Sequence, residues 1–253
     1  MIEEESEIGG LSVLKKNIFR VSIFFNLVII VLGVVVFIVQ GGWVYFENGF
    51  SKVFADQPLI DPMVETKQEN SELVDESSKE IVFAGDSHTD YFEWGEYFEG
   101  MSVANRGISG DTSEGLLNRI EQVTELNPEK VFLLIGINDI QQGVPVETIE
   151  QNYIKIVEAL KKENPEVQIY VQSVFPVAGD LYENNFFKRS GPINESVSKL
   201  NTKISQLDGV TIVNSPEQFG DELAEEYSVD GLHLNKEGYE IWLNEIEEYV
   251  MNN

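Results

Sequence analysis

The chain has 253 residues, 44 acidic against 17 basic side chains and a formal net charge of −27, which excludes a nucleic-acid partner because phosphate binding needs a basic footprint. Its length accommodates one substantial domain with appendages rather than two large domains. Cysteine is absent, so disulfides, thiolate catalysis and cysteine-ligated zinc are ruled out.

In chain order, the first predicted element is Val21 to Val39, VSIFFNLVIIVLGVVVFIV, nineteen residues without a charge. As a helix it spans roughly 28 Å, the thickness of a bilayer core. Lys15, Lys16 and Arg20 flank one side, whereas Trp43, Tyr45, Phe46 and Glu47 follow the other. The positive-inside rule then puts the N-terminus in the cytoplasm and the aromatic residues at the outer interface. A cleaved signal peptide fits less well, since its apolar core runs about 7 to 15 residues and ends in a small-x-small site. The expected organisation is a cytoplasmic segment at 1–20, a transmembrane helix at 21–42, a juxtamembrane segment and flexible tether at 43–79, and a domain at 80–253 outside the cell. The stretch 56–79 carries two prolines and is poor in aromatics, as a tether should be.

Beyond residue 79, short apolar runs alternate with segments of helical period. Ile81 to Ala84, Ser102 to Ala104, Val131 to Ile135, Val167 to Val174 and Val210 to Val213 read as strands. Thr112 to Leu126, Val146 to Glu163, Ile193 to Leu207 and Lys236 to Val250 read as helices. Asp111 with Glu114 suits a capping box, Asn164-Pro165 a helix stop, and Asn235 an N-cap. The segment Gly179 to Pro192 reads as a loop. Near-continuous apolar strands separated by helices predict an α/β fold, a three-layer α/β/α sandwich around a five-stranded parallel sheet.

Four polar blocks sit where apolar segments stop: Gly85-Asp86-Ser87, Ile108-Ser109-Gly110-Asp111, Gly136-Ile137-Asn138-Asp139 and Asp230-Gly231-Leu232-His233. The first three follow strand ends, the rim where open parallel sheets bind ligands. The fourth precedes the last helix and must fold back to that rim to join them. Together they supply acyl-transfer chemistry: Ser87 to attack, His233 to take its proton and Asp230 to orient the imidazole. A serine hydroxyl needs a base in reach, and the chain offers only two histidines. Because adjacent side chains diverge, His233 is the expected base; His88 is the second choice, or a pocket-lining residue. Asp86 and Asp139 read as bonding loop backbone rather than doing acid–base work.

In this order and spacing the blocks resemble the SGNH branch of the GDSL esterase/lipase superfamily. Asn105 to Thr112 and Asp230 to Leu234 look like its platelet-activating-factor acetylhydrolase-like subgroup. The resemblance covers roughly residues 80 to 250 and implies a flavodoxin-like fold and hydrolysis of carboxylic esters, with a short acyl group favoured. It places three donors around the substrate oxyanion: the backbone N–H groups of Ser87 and Gly110 and the side-chain amide of Asn138. One departure stands out, because the common Gly-Asp-Ser-Leu is here Gly-Asp-Ser-His, with His88 in the apolar position. The same residues would also serve a cell-surface O-acyltransferase, and the fold could persist in a non-catalytic module that binds glycan or protein. No cofactor or metal is expected, the partners being a small-molecule, lipid or glycan ester and the membrane; the sequence is silent on oligomeric state.

Overall fold

The structure is a computed structural model that describes residues 79–252. The cytoplasmic segment expected at 1–20, the transmembrane helix at 21–42 and the tether as far as residue 78 lie outside the described residues. Among the described residues no helix is long and apolar enough to cross a membrane.

Five parallel strands form one sheet: β1 (Ile81–Gly85), β2 (Val103–Gly107), β3 (Lys130–Leu134), β4 (Gln168–Gln172) and β5 (Thr211–Val213), in the order β2-β1-β3-β4-β5. The helices run α1 (Ser87–Asp90), α2 (Trp94–Tyr97), α3 (Ser113–Asn118), α4 (Glu121–Thr124), α5 (Ile137–Gln142), α6 (Val146–Glu163), α7 (Gly179–Phe186), α8 (Ser190–Ile204) and α9 (Lys236–Met251). Every residue of β1 and β3 is buried, as interior strands covered on both faces require.

Alternate residues of these strands feed two cores. Val82, Ala84, Val131, Leu133, Ile169 and Val171 point to one face. There they meet Ile149, Tyr153, Ile156 and Leu160 of α6 and Ile193, Val197, Leu200 and Ile204 of α8, apolar stripes at three- and four-residue spacing. Ile81, Phe83, Phe132, Leu134, Tyr170 and Val213 point to the other face, against Trp94 of α2 and Trp242, Ile246 and Val250 of α9. On this side the register puts Phe83 beside Phe132 and Phe132 beside Tyr170, and their rings stack at 4.8 and 4.6 Å. Trp94 stacks on Phe83 at 3.8 Å and meets Trp242 edge-on, which ties α2 to α9 on this face of the sheet. The predicted three-layer α/β sandwich with five parallel strands is therefore what the chain forms.

The departures are local. The helix expected over Thr112 to Leu126 is two pieces, α3 and α4, and Arg119 at the break turns inward to Asp111 and to the Gly85 carbonyl. The capping box expected from Asp111 and Glu114 does not form, because Arg119 engages the Asp111 carboxylate; Thr112 caps α3 instead, its hydroxyl accepting from Gly115 N–H at 3.1 Å. The segment read as a loop from Gly179 contains α7. Strand β2 runs on through Asn105 and Arg106, polar residues tolerated at the sheet edge because Asn105 Nδ2 reaches the carbonyls of Thr89, Asp90 and Phe92. Asn164 ends α6 and Asn235 caps α9, both as expected.

Candidate active site

The strand order sends the chain leftward from β1 to β2 and then back past β1 to β3. A crevice opens beyond the carboxyl ends of strands at such a reversal. Ser87 follows β1 and Asn138 follows β3, the two strands flanking that point. Asp86 caps α1 by accepting the His88 N–H at 3.1 Å, which fixes the turn that carries Ser87.

The fourth polar block does reach this rim. His233 Nε2 lies 3.0 Å from Ser87 Oγ, and His233 Nδ1 lies 2.7 Å from Asp230 Oδ2. Since an ionised carboxylate only accepts, Nδ1 carries the proton and donates, leaving the Nε2 lone pair toward the serine hydroxyl. Asp230 Oδ1 accepts two backbone N–H groups, from His233 at 2.8 Å and Leu232 at 3.0 Å. Burial is the largest single influence on Asp230 and opposes its ionisation. The His233 N–H, its ring and the Leu232 N–H together outweigh that effect and hold the carboxyl below its usual range.

The loop carrying these residues is braced at several points. Ser228 Oγ donates to the His233 carbonyl and accepts from Gly231 N–H, both at 2.8 Å, beside an antiparallel bridge between Ser228 and Leu234. Gly231 has φ +93°, and a Cβ there would sit 2.2 Å from Tyr182 N, so only glycine lets the loop press on α7. In return Ala178 N–H donates to the Gly231 carbonyl, and Asn185 Nδ2 to that of Asp230.

Gly110 and Asn138 stand on the loops that follow β2 and β3. Gly110 has φ +81° and a Cβ there would meet no protein atom within 4 Å, so its backbone conformation rather than crowding calls for glycine. Among the described residues the N–H groups of Ser87 and Gly110 donate to no protein acceptor. Asn138 Nδ2 donates to the Asp111 carbonyl at 2.8 Å, which uses one of its two hydrogens.

Asp111 is the hub of these loops. Its Oδ2 receives Arg119 Nε and a second guanidinium nitrogen, each at 2.8 Å, while Oδ1 accepts Thr112 N–H. Burial pushes the Asp111 carboxyl up and the Arg119 guanidinium down, and their mutual attraction opposes both shifts. Removing one partner of such a buried pair generally costs about 3–5 kcal/mol, because it strands the other charge. Asp139 is likewise buried, with its carboxyl pushed up to about 6 by desolvation against hydrogen bonds from Ser113. It accepts Ser113 N–H at 2.8 Å and Ser113 Oγ–H at 2.6 Å, and Asn152 Nδ2 donates to that hydroxyl. Asp86 and Asp139 thus each accept a backbone N–H from the first turn of a helix, α1 and α3 respectively.

Of the two histidines, His233 is bonded to Ser87; the buried His88 ring instead contacts Asp86 and the Leu232 carbonyl. A cavity of about 690 Å³ opens beside the imidazole, lined by Tyr91, Val229, Asp230, His233, Tyr239 and neighbours in 234–236. The Tyr91 ring lies 5.3 Å from that of His233, and its hydroxyl bonds Ser109 Oγ at 2.9 Å. Sequence reasoning did not single out Tyr91, Tyr239, Ser228 or Arg119. A single tyrosine, serine or arginine gives no local pattern, and only the tertiary contacts reveal its place.

A hydroxyl, imidazole and carboxylate linked in series at the switch point of a parallel sheet are the equipment of an α/β acylhydrolase. The GDSL-like Lipase/Acylhydrolase family matches residues 83–241, and the chain belongs to that family. It is 30% identical over 178 residues to an N-acylneuraminate cytidylyltransferase of Escherichia coli O18:K1:H7, covering 69% of this chain and 41% of that protein. It is 26% identical over 124 residues to the platelet-activating factor acetylhydrolase IB subunit alpha1 of Homo sapiens, covering 47% of this chain and 52% of that one. The chain thus spans about half or less of the length of these curated relatives. A solved chain from Streptococcus pneumonia, provisionally named a platelet activating factor, superimposes with a TM-score of 0.63 at 27% identity, over 74% of this chain and 91% of that chain.

Proposed function

We propose that the protein is a membrane-anchored extracellular serine esterase that cleaves carboxylic esters of short acyl groups through an acyl-enzyme. The observation that carries this reading is the continuous bonding from Ser87 Oγ through the His233 ring to Asp230. His233 Nε2 takes the Ser87 proton as Oγ attacks the ester carbonyl, and Asp230 stabilises the imidazolium that forms. The oxyanion is received by the Ser87 and Gly110 N–H groups and by the second hydrogen of Asn138 Nδ2. Collapse expels the alcohol, which takes the proton from His233. Water, deprotonated by the same imidazole, then attacks the acyl carbonyl, and collapse releases the acid while Ser87 Oγ takes the proton back from His233.

The short-acyl preference rests on the likeness to the acetylhydrolase relative. Assay of the full chain against p-nitrophenyl esters from acetate to palmitate tests it. The expected order has acetate with the highest kcat/KM; a long-chain optimum overturns the short-acyl reading, and no hydrolysis of any member overturns the esterase reading.

The location rests on the uncharged run from Val21 to Val39 and the basic residues before it. Protease added to intact cells is expected to remove the domain beyond residue 80, whereas protection until lysis reverses the topology.

A further inference from the structure

We propose that His88 is a positioning residue, which clamps the nucleophile turn to the loop carrying the base. This rests on the reading that Ser87 and His233 perform the chemistry. The His88 ring is buried, and both of its nitrogens face oxygen. Nε2 lies 3.0 Å from the Leu232 carbonyl, 144 positions away, and Nδ1 lies 3.3 Å from Asp86 Oδ1. A carbonyl can only accept, so Nε2 bears hydrogen. Asp86 Oδ1, which also accepts the His88 N–H at 3.1 Å, holds the other edge of the ring.

The ring is enclosed by groups from several elements. Asp86 faces it from the start of its own helix. From the 228–234 loop comes His233, its ring 6.0 Å away and backed by Asp230. From α9 the Tyr239 hydroxyl donates to the His88 carbonyl at 2.9 Å, and after β4 Phe175 presents an apolar edge at 5.5 Å. Asp111 and Asp139 lie close enough to feel the Asp86 charge.

The bond to Leu232 acts on a single peptide unit. Its carbonyl is held by His88, and its N–H, that of His233, is held by Asp230 at 2.8 Å. The peptide that introduces His233 is therefore fixed from both ends, one anchored on the turn that bears Ser87. An apolar residue at position 88 cannot make this bond. Loss of the clamp leaves the substrate surface intact but loosens the 3.0 Å approach of Nε2 to Oγ, and misplacement by 1 Å can cost about 100-fold in rate.

The test uses the full chain with p-nitrophenyl acetate and the variants His88→Leu and His88→Gln. His88→Leu is expected to lower kcat about 10-fold to 100-fold with KM within about 2-fold, and His88→Gln, which retains a donor for the Leu232 carbonyl, to recover part of the loss. Unchanged kcat in His88→Leu, or no recovery in His88→Gln, overturns the proposal. Nitrogen NMR of the ring gives a readout independent of turnover, and with only two histidines in the chain the His88→Gln spectrum assigns both. A hydrogen on His88 Nε2, bonded to the Leu232 carbonyl, is expected, and an Nε2 without hydrogen overturns the proposal. If the wild type shows no Ser87-dependent hydrolysis, the functional reading fails separately, and the NMR result still decides whether His88 holds the Leu232 carbonyl.

Discussion

Ser87→Ala is expected to reduce ester hydrolysis by about 10⁴-fold or more, measured as kcat on the best ester of the acyl series. The Ser87 hydroxyl is bonded to His233 Nε2 at 3.0 Å, so removing it deletes the attacking atom without breaking a bond that braces a loop. Thermal unfolding should therefore stay near wild type. His233→Ala is expected to fall as far, because the hydroxyl without a base returns to its weak solution reactivity. The two losses should not add, since residues that act as one unit share a single contribution to the barrier. A double variant much slower than either single one would mean that serine and imidazole work independently, and full activity in Ser87→Ala would remove the nucleophile from the account.

Asn138→Ala is expected to lower kcat by roughly 100-fold to 1000-fold, the usual cost of one oxyanion donor, with KM changed little because the charge it meets exists only beyond the ground state. Its amide also donates to the Asp111 carbonyl, so a stability loss of about 1 kcal/mol should accompany the variant, as for one ordinary hydrogen bond. The two effects separate cleanly: thermal unfolding reads the second and steady-state kinetics the first. Unaltered hydrolysis would exclude Asn138 from the oxyanion site.

The outline of the sheet was legible because its interior strands β1 and β3 are buried on both faces and so are written as unbroken apolar runs. Ile81 to Ala84 and Val131 to Ile135 are the clearest, and both became central strands. Helix α6 was equally plain from its long apolar stripe, running from Val146 to Glu163 as expected. The single-turn helices α1 and α2 were not, since four residues are too few to show a period. The two-part form of α3 and α4 was hidden for another reason. What separates them is Arg119 seeking Asp111 and Gly85, a tertiary demand that overrides a good local helical pattern.

The candidate site was legible as residues but not as distances. Ser87, Gly110 and Asn138 mark themselves by following strands, whereas nothing local brings Asp230 and His233 back to them. That return depends on the press of Gly231 against α7 and on the bonds of Ser228 and His88 to the same loop. The reading of His88 as a second candidate base gives way to its contacts with Asp86 and Leu232, which occupy both ring nitrogens. The lining of the cavity by Tyr91 and Tyr239 was beyond reach for the same reason, because an aromatic side chain signals burial or a binding surface equally well until its neighbours are known.

The most direct measurement is mass-spectrometric mapping of the adduct left by a fluorophosphonate probe on the wild-type chain and on His233→Ala. Labelling confined to Ser87, and slowed at least about 100-fold when the imidazole is removed, is the predicted result. A probe that ignores Ser87, or labels it equally fast without His233, would contradict the coupling of hydroxyl and base on which the function depends.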